Sequence, residues 1–362
     1  MKIIIILITT LIFGPLWANK PFSKLTDIVD VYGVNHETAH SIKQRYASRV
    51  RTVEMQLMVE FMNSTVGIHH PKRFQHLLEQ KNKLIQDIKE NGHFSFVDLQ
   101  TVNYPGKQTI YTTIEIIPKN RPERLRLIPN KSPHPVESKQ HDVIDDMITY
   151  QNKAIQLLIT NQLDLTDRTC PVYHCIVPFT HPTLKPYLTL FNVGVSQKKK
   201  DIIHALNHDQ NPERRAAAAF LIGHFADPHD IVALLSSHVT DPDDGVRNNV
   251  LRVIGETISK ANLTDINTLP FLKLLDSPFV TDRNKALIVL LTAADSESGK
   301  QQITLNGRQR LLTLLQLKQP NNHDIAYSIL KKISGQDFGP TNIQGWEEWT
   351  NKTYLGKKPL IT

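Results

Sequence analysis

Asp241-Pro242-Asp243-Asp244-Gly245-Val246-Arg247-Asn248-Asn249-Val250-Leu251-Arg252-Val253-Ile254-Gly255 is the stretch whose reading decides the fold. It opens on an acidic turn with a proline and continues into a helix with Val250, Leu251 and Ile254 on one face. Asp209-x-Asn211, Arg215 and Gly223 precede Asp241-x-Asp243, Arg247 and Gly255 by a constant 32 residues. A third copy stands at Asp276-Ser277-Pro278 with Arg283-Asn284-Lys285-Ala286-Leu287, and a worn fourth at Gln319-Pro320-Asn321-Asn322 with Ala326 and Leu330. A period of this length marks stacked supersecondary units, each hiding its apolar face only against its neighbours.

The turn Asp241-Pro242 with Arg247, Val250, Leu251 and Ile254 resembles the HEAT-repeat family. The ending from Leu330 to Gly339, followed by Trp346 and Trp349, looks like the segment seen after many bacterial HEAT arrays. The resemblance covers about two fifths of the chain. It implies an α-solenoid of about four helix pairs over 196–335 that binds a protein partner and performs no catalysis. In that family an arginine early in each second helix braces the turn acid, which gives Arg215, Arg247 and Arg283 a structural role beside Asp241. Arg214, Arg252 and Lys285 lie nearby outside that pattern and are the candidates for contact with a partner. Residues 336–362 read as a cap and tail, in which Trp346 and Trp349 cover the last unit's apolar face, with carbohydrate stacking as the alternative.

Working outward, residues 19–165 read as an α+β domain, so the whole chain is mostly α. Ala39, Ile42, Tyr46, Val50, Val53, Leu57 and Phe61 form a helical stripe. A second helix starts with Pro71 in its first turn and stops at Asn91-Gly92. Two β-rich runs, Phe94 to Val102 and Thr109 to Ile117, flank Tyr104-Pro105-Gly106-Lys107 and predict a hairpin. The prolines between Pro118 and Pro135 exclude regular helix, and a further helix runs from about Asp142 to Asn161.

Residues 1–18 read as a signal peptide: Lys2, then an apolar run too short to span a bilayer, then Gly14-Pro15 before Ala18. The expected location is therefore periplasmic or secreted, where nucleic acid is an unexpected partner. The +7 formal charge is modest, but 11 Lys and Arg face 6 Asp and Glu over Pro71 to Lys131, so anionic envelope polymers are an alternative ligand. Within the connector 166–195, Cys170 and Cys175 are the only cysteines and predict a disulfide in an oxidising compartment. A zinc knuckle with His174 and His181, redox catalysis, or free thiols are the alternatives.

His36-Glu37-x-x-His40 matches the H-E-x-x-H of zinc hydrolases, with His36 and His40 as ligands and Glu37 as base. Asn35 reads as the N-cap, however, which puts the motif in the first turn of its helix. Glu60, the downstream acid, would lie about 30 Å along that helix from His40. No Gly-rich phosphate loop and no G-x-S-x-G is present, and no cofactor is expected. The leader reading is checked by N-terminal sequencing of protein recovered from outside the cytoplasm. The mature chain is expected to begin at Asn19, and an intact Met1 terminus overturns cleavage.

Overall fold

The computed structural model describes residues 26–65, 67–104, 109–128, 141–164 and 166–354. The leader, the Pro105-Gly106 turn, residues 129–140 at the end of the proline-rich stretch and the tail from 355 lie outside them.

Helix α1 (His36–Thr65) starts where Asn35 Oδ1 accepts the Thr38 N–H at 2.9 Å. Its stripe buries Ile42, Tyr46, Val50, Val53 and Leu57. Helix α2 (Pro71–Asn91) runs back along it, clasped by Arg49–Asp87 at 2.8 Å and Arg73–Glu60 at 3.1 Å. Strands β2 (Phe96–Tyr104) and β3 (Thr109–Ile117) pair antiparallel. Strand β1 (Thr26–Tyr32), which the sequence pattern does not predict, pairs parallel with β3 and gives the order β1-β3-β2.

One face of this sheet, carrying Val29, Val97, Leu99, Ile114 and Ile116, packs on α1 and α2. The other face is polar and buried, and it docks on turns of the helical array. Tyr32 Oη donates to Leu275 O at 2.6 Å. Gln100 donates to Pro278 O at 2.9 Å and accepts from the Val280 N–H at 2.7 Å. Asp30 accepts the Lys318 and Gln319 N–H groups at 2.6 and 3.2 Å.

Pro122–Leu127 forms a 3₁₀ turn. Helix α3 (Val143–Ile159) begins with a reciprocal cap in which Asp142 accepts from the Ile144 and Asp145 N–H groups and Asp145 accepts from the Asp142 N–H. The sequence pattern assigns this helix to the first region; its buried residues, Ile144, Met147, Tyr150 and Ala154, lie instead in the core of the array.

The array proper contains α4 (Lys185–Gln197), α5 (Lys199–His208), α6 (Pro212–Ile222), α7 (Pro228–Ser236), α8 (Asp244–Ala261), α9 (Leu269–Leu274), α10 (Val280–Ala293), α11 (Glu297–Asn306), α12 (Arg308–Leu315) and α13 (Pro320–Ser334). Second helices α6, α8, α10 and α13 stack side by side, and α3 joins that layer against α6. Helix α14 (Ile343–Tyr354) closes the far end. There Trp346 is fully buried, donates to Gly339 O at 2.9 Å, and meets Tyr327, Phe338 and Trp349 edge-on.

Three arginines rivet the stack. Arg215 grips both oxygens of Asp241 at 3.0 and 2.9 Å while donating to its own turn at Asp209 O. Arg247, wholly buried, donates from Nε to one oxygen of Asp282 at 2.9 Å and to Asp241 O of its own turn at 2.7 Å. Arg283, wholly buried, holds Ser277 O at 2.6 Å, but its carboxylate is Glu115 of β3, gripped through both oxygens.

Arg283→Met leaves the Glu115 carboxyl buried without its partner, a loss of roughly 3–5 kcal/mol. Arg283→Met combined with Glu115→Leu is expected to recover most of that. Urea unfolding of the single and double variants measures both, and a neutral single variant removes the rivet.

Candidate functional site

After α3 the chain turns back through Asn161, which has positive φ, into the segment that carries the Cys170–Cys175 disulfide. This segment lies across α6. The Tyr173 N–H donates to Gly223 O at 3.1 Å, and a Cβ on Gly223 would stand 3.0 Å from His174 Cβ, so glycine there admits the loop. His174 is buried, stacks on Phe220 with ring centroids 4.8 Å apart, and brings Nδ1 within 2.9 Å of Glu256. Lys260 Nζ donates to Val172 O at 2.8 Å, which ties the loop to α8.

With the loop seated, a cleft of about 530 Å³ opens between it, α3, α8 and α10. The walls are mainly apolar: Ala154, Ile155 and Leu158 from α3, Ile176 and Val177 from the loop, and Ile288 from α10. Gly255 forms part of the wall on α8, where a Cβ would touch only Val289 at 3.9 Å.

Two of the three contact candidates named from sequence, Arg252 and Lys285, meet in this cleft. Among the described residues neither has a carboxylate within ion-pair distance, and the Arg252 guanidinium lies over the Phe220 ring, 5.8 Å from its centre. Burial, with the Arg252 charge beside it, pulls the Lys285 amine down to about 7. The acids lining the cleft are already engaged. Glu256 faces His174, and Asp167 accepts from the Thr169 N–H and the Thr180 hydroxyl, both at 2.8 Å. Burial holds His174 below the usual histidine range and takes His224 down to about 4, so both rings are neutral near pH 7.

Arg214 stands outside the cleft. It is 9% exposed and ion-pairs with Asp209 at 2.8 Å, Asp142 at 2.7 Å and Asp145, so it clamps α3 onto α6. Arg215, Asp241, Arg247 and Arg283 belong to the rivets. The ring of Trp346 is enclosed and offers no face to a sugar, while Trp349 is half-buried against it. The two cysteines are bonded to each other, and His181 accepts the Thr183 N–H at 3.2 Å, so a zinc knuckle does not assemble in this arrangement.

His36, Glu37 and His40 are exposed on the first turn of α1, the imidazole centroids 6.5 Å apart. Among the described residues no third His, Cys, Asp or Glu completes a metal-holding group there. Glu60 is at the far end of α1, paired with His70 at 3.0 Å and Arg73 at 3.1 Å.

Residues 200–292 match the family model for HEAT repeats, and this stretch of the chain is a HEAT-repeat array. Such repeats point to a protein-interaction scaffold. No curated protein and no solved structure matches the chain.

The Lys285 amine sits near 7 folded and near 10.5 when exposed, so between those values the unfolded chain binds the extra proton and stability rises with pH. Lys285→Met is therefore expected to raise the melting temperature at pH 6, with the gain shrinking as pH approaches 10. Paired thermal melts at pH 6 and 9.5 check this, and an equal gain at both refutes the lowered amine.

Proposed function

We propose that this protein is an exported scaffold, periplasmic or secreted, that binds a protein partner through the layer formed by its second helices. The observation that carries the reading is the pair Arg252 and Lys285, held on that layer without a carboxylate at ion-pair distance among the described residues, beside Arg214, Arg215, Arg247 and Arg283, which each have one. Retaining a guanidinium and an amine in so dry a place costs stability, and an external anion that pairs with both returns it.

Export is supported by the leader-like residues 1–18 and by a disulfide that an oxidising compartment maintains. Among the described residues no helix is long and apolar enough to cross a membrane. An anionic envelope polymer is a weaker reading, because part of the Pro71 to Lys131 charge is already engaged: Arg73 pairs with Glu60, Lys81 with Glu54, and Arg124 is buried on the carbonyls of Ile116 and Asp276.

A photo-crosslinking amino acid placed at Ser259 of α8 or Thr292 of α10, on the second-helix layer, tests the reading in intact cells. A discrete protein adduct is expected in the extracytoplasmic fraction from these positions and not from His229 on α7. A protein confined to the cytoplasm, or adducts only from His229, would falsify the proposal.

A further inference from the structure

The arginines of the array show what this fold does with a buried cation. Arg214, Arg215, Arg247, Arg283 and Arg310 each face a carboxylate at ion-pair distance, and Arg283 reaches out of the array to Glu115 for one. Arg252 and Lys285 sit on neighbouring helices of the same layer and lack such a group among the described residues. Their acids are not merely distant: the two carboxylates that line the cleft, Asp167 and Glu256, are taken by the loop's own hydroxyl and N–H groups and by His174. The lining thus carries Arg168, Arg252, Lys260 and Lys285 against Asp167 and Glu256, an excess of positive charge inside mainly apolar walls.

Two further features shape what fits. Ile288, one helical turn beyond Lys285, is 48% exposed at the mouth, one of the few large apolar side chains of the described residues left so open. Gly255 leaves the wall bare where the surrounding helix would accept a side chain, since an added Cβ makes only an ordinary contact. A volume of about 530 Å³ is in the range of specific ligand sites and takes a few side chains rather than a helix.

We propose that this cleft is the docking site for an acidic-apolar peptide segment of the protein partner, with an Asp or Glu carboxylate held between Arg252 and Lys285 and a flanking aliphatic side chain over Ile288. The inference rests on the scaffold reading and names the chemistry it recognises. The guanidinium supplies paired N–H donors to the carboxylate and the ammonium adds a point charge; dry walls strengthen both contacts.

A randomised heptapeptide phage library selected on the full mature protein tests this. Enrichment of Asp or Glu flanked by Leu, Ile, Val or Phe is expected on the native protein and is lost on Arg252→Gln/Lys285→Gln. The tightest selected peptide is expected to bind at least about tenfold more weakly to that double variant and to Gly255→Leu, which fills the cleft without altering charge, and unchanged to Lys200→Gln at an exposed position of α5. If Gly255→Leu does not fold by circular dichroism, Gly255→Ala takes its place with a smaller loss. No enrichment, enrichment without acids, equal binding to the double variant, or tighter binding of dodecanoate than of every selected peptide overturns the assignment. Crosslinks from Ser259 or Thr292 that survive in Gly255→Leu leave the scaffold standing while the cleft fails; absence of those crosslinks in the native protein removes the scaffold itself.

Discussion

Everything in this molecule hangs on a relay of buried guanidinium–carboxylate contacts. In the links of Arg215 and Arg247 an arginine fastens a carbonyl of its own turn and a carboxylate of the next unit, so turn geometry and repeat spacing are set by one side chain. A lone buried ion pair is a poor source of stability, because desolvation offsets the attraction. What it supplies is position. A bidentate fork tolerates little error in distance or angle, so it specifies how adjacent helix pairs are placed while the aliphatic core supplies the driving force.

The relay also explains the sheet. A strand with two aspartates would be a weak strand by pattern alone, yet its polar face meets polar turns with complementary groups: Asp30 caps the backbone ahead of α13, and Glu115 completes Arg283. The sheet is thus a middle layer between its own two helices and the array, with an oily side and a wet-looking side that is nevertheless dry. The Tyr32 ring beneath the Arg283 guanidinium, 4.1 Å from its centroid, seals that junction.

How much of this is legible in the sequence depends on the range of the interaction. Local signals are readable: the Asn35 cap, the stripe from Ile42 to Leu57, the prolines that open helices, and the 32-residue offset all act within a few turns or repeat themselves. Strand β1 is hidden because Asp27 and Asp30 break the apolar alternation, and the partners that justify them lie in β3 and after α12. The apolar face of α3 is evident, but periodicity does not say which neighbour covers it. Arg214 and Arg215 are adjacent in sequence and one turns to α3, the other to the next repeat, a distinction only packing makes. Arg252 and Lys285 are visible as basic residues; the cleft is not, because one wall is a loop whose course follows from the disulfide and from the bare surface at Gly223.

The attachment of the sheet has a consequence for how such a chain can change over generations. Open solenoids lengthen or shorten by duplicating or deleting whole units, since only neighbours are affected. Here the sheet grasps the array at two places, Arg283 on α10 and the backbone just ahead of α13, and it is itself a rigid bracket of fixed span. Inserting a unit between those points would tear open either the first grip or the second. The bracket works as a gauge that locks the number of repeats it straddles, leaving growth open only beyond its jaws.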